Sequence, residues 1–205
     1  MKDNKNISLF IDTATKSLCI GALFGDDIFI SNEIDSKKSL EYTNILIEEL
    51  GKKAGFNLRD VDSFYCLLGP GSNTGIRLGL TIPKTILAFN PNIKIYGIDT
   101  LKVFLFNQDN GYAALSDRSG NLFLGEMSNG EYSYKKVNKE DISSIDKNKT
   151  IFVEKSDTSS IDLLANFNIQ KLNVVTKMIE AKCIFEDYSD KDEAYLPIYF
   201  QQIWL

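Results

Sequence analysis

The chain has 205 residues, 43% hydrophobic and 25% charged, with a net charge of −5 and no histidine. This composition supports a globular protein of one or two domains with a sizeable core, and an acidic chain is a poor candidate for gripping nucleic acid unaided. Without histidine, Ser-His and Cys-His nucleophile pairs, histidine bases and histidine-containing metal sites are excluded, while carboxylate and lysine chemistry stay open.

No stretch approaches the ~18 consecutive apolar residues of a membrane-spanning helix. The polar opening, residues 1–6, lacks the apolar core of a signal peptide, so a cytoplasmic protein with no membrane association is expected. Residues 7–11 read as a strand, 12–15 as a turn, and 18–24 and 28–34 as further strands around Gly25. A helix over 40–54 ends at Gly55. A β-rich run at 61–68 leads into a glycine loop, 69–75, and a second helix over 76–89. A short strand at 93–98 and a short helix at 100–106 follow.

The order then restarts. Strands are expected at 112–116, 121–127 and 132–137, with Asn129-Gly130 as a hairpin turn, then a polar loop over 138–149 and a strand at 151–154. Helices are expected at 161–167 and 174–187. Asp12 precedes Gly25 by the same interval that separates Asp117 from Gly130, which points to an internal duplication. Residues 1–107 are therefore read as one lobe and 108–205 as a smaller second one. Cys19, Cys66 and Cys183 lie in apolar patterns and are expected as buried reduced thiols.

Three features bear on function. Asp12 at a strand end, followed by Thr13, Ala14 and Thr15, can face a phosphate or metal, or can close a local Asx turn. The loop Gly69-Pro70-Gly71-Ser72-Asn73-Thr74-Gly75 can cap its helix through Ser72 or Thr74 and leave N–H groups for an anion, but it lacks the lysine of a P-loop. Both long helices carry apolar residues beyond one stripe. Gly75 and Gly79 leave bare backbone where another helix can approach, so the surplus is either a partner surface or fully buried. Pro83 should bend the second helix. The aromatic tail with Tyr195, Tyr199, Phe200 and Trp204 must pack on its own domain or on a partner.

The residues 11–15 and 69–79, with Tyr96-Gly97-Ile98-Asp99-Thr100-Leu101, Ser116-Asp117-Arg118 and Pro197-x-Tyr199, resemble the signature of the bacterial TsaB (YeaZ-type) family. The resemblance implies an α/β, actin-like ATPase (ASKHA) fold of two related lobes, each a mixed sheet flanked by helices. It also implies a non-catalytic scaffold for a TsaD-like catalytic subunit, which transfers threonylcarbamoyl to the adenosine next to the anticodon of ANN-decoding tRNAs. ATP and metal are expected on the partner subunits, one of them a TsaE-like ATPase, and tRNA is reached through the complex. The partner, or a second copy in a homodimer, would sit on Leu40, Tyr42, Ile45, Leu46 and Glu49 of the first helix and on Arg77, Leu78, Thr81 and Thr85 of the second. The phosphate-loop-like positions are Asp12, Thr13, Gly69, Gly71, Ser72 and Thr74. Asn73, Pro83 and Gln201 depart from the family pattern. A competing expectation is a small actin-like ATPase or phosphotransferase with Asp12 and Asp117 near the phosphates.

Overall fold

A computed structural model describes residues 6–189; the aromatic tail, Pro197-x-Tyr199 and Gln201 lie outside the described residues. The chain opens with an antiparallel meander of β1 (Ile7–Asp12), β2 (Ser17–Phe24) and β3 (Asp27–Ile30), with the short β4 (Ile34–Asp35) also on β2. α1 (Ser39–Ala54) buries Ser39, Thr43, Leu46, Ile47, Leu50 and Gly51, a stripe at helical spacing. It stops where Gly55 turns left-handed (φ 81°) and donates its N–H to the Gly51 carbonyl at 2.8 Å. β5 (Ser63–Leu67) returns parallel to β1, and α2 (Asn73–Leu87) leads to β6 (Lys94–Ile98), parallel to β5.

α3 (Thr100–Phe104), whose first turn is capped by the Asp99 carboxylate, passes the chain to a second sheet. Its meander is β7 (Asn110–Ser116), β8 (Leu122–Ser128) and β9 (Glu131–Val137). Asn129 and Gly130 both take positive φ, 51° and 80°, as the hairpin reading requires. β10 (Ile151–Glu154) runs parallel to β7, and α4 (Thr158–Leu163) connects it to β11 (Ile169–Leu172), parallel to β10.

The strand orders β6-β5-β1-β2-β3 and β11-β10-β7-β8-β9 coincide, with the same directions throughout. Asp12 ends β1 and Asp117 follows β7, while Gly25 and Gly130 occupy the matching hairpins. The duplication is thus visible in three dimensions, as two related lobes each built on a mixed sheet. The second copy is abbreviated: where α1 links β3 to β5, only a 3-10 turn (Lys139–Ser144) lies between β9 and β10.

Phe24, on the same side of β2 as Ile20, packs edge-on against Phe56 beyond α1, and Ile11, paired with Ile20, lies against Gly79 of α2. Both helices therefore cover one face of the first sheet. The other face carries the stacked Phe10, Tyr65 and Tyr96 rings and is covered by α5 (Val174–Glu180), whose Val175 and Ile179 fill the space over Gly21. β12 (Glu186–Asp187) then pairs with β6. Residues 174–189 thus return to the first lobe, whereas the sequence reading placed all of 108–205 in the second. Nothing local announces this, because both attachments are to strands far away in sequence.

Smaller differences have local causes. α4 starts at Thr158, before the expected 161, because the Asp157 carboxylate accepts the Ser160 N–H as a cap. α5 stops at Glu180 and gives way to a 3-10 turn (Lys182–Ile184). Cys183, expected buried, is exposed in that turn, whereas Cys19 and Cys66 are buried as expected.

Candidate functional site: the β1–β2 turn and the helices around it

Asp12 is fully buried, and both of its oxygens are used locally. Oδ1 accepts the N–H groups of Ala14 (3.0 Å) and Thr15 (3.1 Å), and Oδ2 accepts the Thr15 hydroxyl at 2.5 Å. This is the Asx-turn alternative, so Asp12 does not face a phosphate. Thr13 points the other way and donates its hydroxyl to the Gly75 carbonyl at 2.6 Å, while the Ser72 N–H meets the Ala14 carbonyl at 2.7 Å.

These bonds require close approach. A Cβ on Gly75 would stand 1.7 Å from the Thr13 carbonyl oxygen, and one on Gly79 would stand 2.7 Å from Thr13 Oγ1. The bare face of α2 is therefore filled by the chain's own β1–β2 turn and is not open to a partner helix, which corrects the reading of the glycine spacing. Ser72 supplies the N-cap, accepting the Gly75 N–H at 3.2 Å, and Thr74 is left exposed. Gly69 ties the loop to α3, its carbonyl accepting the Thr100 N–H at 2.8 Å, and Gly71 lies against the Ala14 carbonyl.

α2 runs through Pro83 to Leu87 without interruption. Proline offers no N–H to the carbonyl one turn back, that of Gly79, and the buried Cys66 thiol donates to this oxygen instead, at 3.5 Å. A neighbouring strand thus supplies the missing donor. Burial pushes the Cys66 thiol up to about 12, so it stays protonated and able to donate.

The outer faces of the two helices divide the proposed partner residues. Leu40 (72% exposed) and Ile45 (46%) stand in solvent, Tyr42 and Leu78 are half-buried, and Glu49, Arg77, Thr81 and Thr85 are exposed. Thr81 and Thr85 satisfy their hydroxyls on the carbonyls of Arg77 and Thr81. Leu46 is 3% exposed and belongs to the core, because it falls on the α1 stripe that faces the sheet. Phe89, 87% exposed just beyond α2, was not among the expected docking residues; its only sequence signal is an aromatic side chain next to a helix-ending Asn-Pro.

Between the lobes opens a cleft of about 740 Å³ lined by Thr15, Lys16, Lys37, Ser72, Asp117, Arg118 and Lys136, among others. Asp117 pairs with Lys136 at 2.9 Å. Burial works against its charge, but the bonds from Lys136, Asn121 and Ser119 outweigh it and hold the carboxyl at about 2. Asp12 does not line this cleft, so the two aspartates are not brought together around one ligand. Among the described residues no group of three or more His, Cys, Asp or Glu is placed to hold a metal ion, and no helix is long and apolar enough to cross a membrane.

A junction that the sequence did not single out lies behind the turn. Glu154, at the end of β10, is 1% exposed and accepts the N–H groups of Lys16 (2.8 Å) and Ser17 (2.9 Å) and the Ser17 hydroxyl (2.7 Å). Asp157, fully buried, accepts the N–H and hydroxyl of both Ser116 and Ser160. The only signal was an acid closing an apolar strand.

A family model described as "TsaD: tRNA N6-adenosine threonylcarbamoyltransferase" matches residues 30–185. The "tRNA threonylcarbamoyladenosine biosynthesis protein TsaB" of Escherichia coli is 28% identical over 130 residues, covering 60% of this chain and 55% of that protein. The protein of the same name from Haemophilus influenzae is 25% identical over the same shares. An uncharacterised MG208 homologue from Mycoplasma pneumoniae is 32% identical over 98 residues, 46% of this chain and 50% of that protein. The chain thus spans about half the length of these curated relatives. YeaZ from Pseudomonas aeruginosa superposes over 95% of this chain and 99% of its own with a TM-score of 0.67 at 15% identity, a likeness of fold. On the family match, which takes in most of its length, the chain belongs to the family whose model is described as "TsaD: tRNA N6-adenosine threonylcarbamoyltransferase", and within it is of the TsaB (YeaZ) type.

Proposed function

We propose that this chain is a non-catalytic scaffold subunit in tRNA threonylcarbamoyladenosine biosynthesis, binding and activating a TsaD-like catalytic subunit. That partner transfers threonylcarbamoyl to the adenosine beside the anticodon of ANN-decoding tRNAs. ATP and metal belong to the partner and to a TsaE-like ATPase, tRNA is met through the complex, and the setting is the cytoplasm. The observation that carries this reading is the outward exposure of Leu40 and Ile45 on α1 and of Phe89 just beyond α2, while the inner faces of both helices are already spent on the sheet.

Covering one such side chain contributes about 1.5–3 kcal/mol, so even a few of them add appreciably to an association surface. The same face can close a homodimer, which would compete with the catalytic partner. The ATPase reading loses its main residue, since Asp12 is consumed by its own turn. The test is reconstitution: threonylcarbamoyl transfer by the purified catalytic subunit and ATPase should depend on adding this chain, and an equal rate without it would end the proposal.

A further inference from the structure

Two buried carboxyls cap the same turn at the lobe junction, and among the described residues no cation pairs with either. Asp12 is 0% and Glu154 is 1% exposed, and among the described residues their partners are backbone N–H groups and hydroxyls. The ammonium of Lys16 goes to the Ser116 carbonyl at 3.0 Å, and that of Lys155 goes to Glu33 at 2.8 Å. The Thr15 hydroxyl lies against both carboxyls but has one hydrogen to give, and it gives it to Asp12. Two carboxyls buried around the single turn 12–17, with no cation on either, disfavour carrying two charges at once.

We propose that Asp12 and Glu154 hold one proton between them, and that this proton keeps the two lobes latched, so that alkaline pH loosens the junction. Glu154 belongs to the second lobe and grips the first-lobe turn at Lys16 and Ser17. The same turn carries Thr13 and Ala14, which hold Gly75 and Ser72 of the α2 loop. Loosening the carboxyl pair therefore frees both the lobe junction and the seat of α2. The titratable groups beside the pair are Cys19 from β2, itself flanked by Glu33 with its partner Lys155, and Asp157 before α4. None of them supplies an uncommitted cation, and burial pushes the Cys19 thiol up to about 12, outside the range that matters. Burial raises both carboxyls above their usual range, and the Glu154 charge raises Asp12 further. A carboxyl that holds its proton more tightly folded than unfolded stabilises the fold at low pH and loses that contribution as pH rises through its folded value.

Amide hydrogen exchange on the full chain tests this, with rates corrected for intrinsic exchange. Protection of the Lys16 and Ser17 amides should fall at least about tenfold between about pH 6 and about pH 9, while β8–β9 amides hold within about twofold. Asp12→Asn keeps the carbonyl acceptor, removes the charge, and should flatten the pH dependence; Glu154→Gln should do the same and serves if Asp12→Asn does not fold. A wild-type profile that is flat at Lys16 and Ser17, or a folded variant that keeps the wild-type slope, would overturn the latch.

Discussion

Substituting Gly75 by alanine puts the packing of α2 to a severe test. The added methyl would sit 1.7 Å from the Thr13 carbonyl oxygen and 2.7 Å from its carbon, with backbone on both sides and no rotamer to yield. Relief needs a shift of more than about 1 Å between the turn and the helix. Such a shift breaks the Thr13 hydroxyl bond to Gly75 (2.6 Å) and the Ser72 N–H bond to Ala14 (2.7 Å). Two buried bonds are worth about 1 kcal/mol each and overpacking costs about 1–3 kcal/mol, against a gain of about 1 kcal/mol from alanine's helix propensity. The net loss should be about 2–4 kcal/mol, read in urea as a midpoint about 1–2 M lower at unchanged slope. Thr13→Ala, which removes a single bond, should cost about 1 kcal/mol. If Gly75→Ala costs no more than Thr13→Ala, the steric reasoning is wrong.

Cys66→Ala removes the donor that replaces the Pro83 amide and should cost about 1–2 kcal/mol by denaturant titration. In a Pro83→Ala background most of that cost should vanish, because the restored N–H reaches Gly79; an undiminished cost would refute the pairing. Leu46→Glu buries a charge under α1 and should abolish cooperative unfolding, whereas Ile45→Glu should shift the unfolding midpoint by less than the equivalent of about 0.5 kcal/mol. Asp117, held by Lys136, should titrate near 2 by NMR, and its contribution to stability should be present above the ordinary carboxylate range and be lost as pH falls through that window; Lys136→Met should return it upward.

The alternation of strands and helices was legible because each element carries its own period and its own punctuation. Gly55 stops α1 and Asn129-Gly130 turns β8 into β9 as their conformations demand. Which helix residues face outward was less legible: Ile45 and Leu46 are equally apolar neighbours, and only the sheet beneath decides that Leu46 is core. The role of Asp12 was undecidable locally, since the same four residues suit a phosphate turn or an Asx turn. Asp12 spends its oxygens on Ala14 and Thr15, and the turn that results is held from outside by Gly75 and by Glu154, whose contact with Lys16 spans 138 residues of sequence. The return of α5 and β12 to the first sheet is non-local in the same way.

The catalytic subunit is expected to dock on the outward residues of α1 and the end of α2. Sedimentation of this chain with the purified TsaD-like subunit of the same organism, at micromolar concentration, tests it most directly. A heterodimer is expected with the wild-type chain, and at least about a tenfold weaker complex with folded Ile45→Glu or Phe89→Glu, equivalent to about 1.4 kcal/mol. No complex with the wild-type chain, or full affinity in both variants, would contradict it.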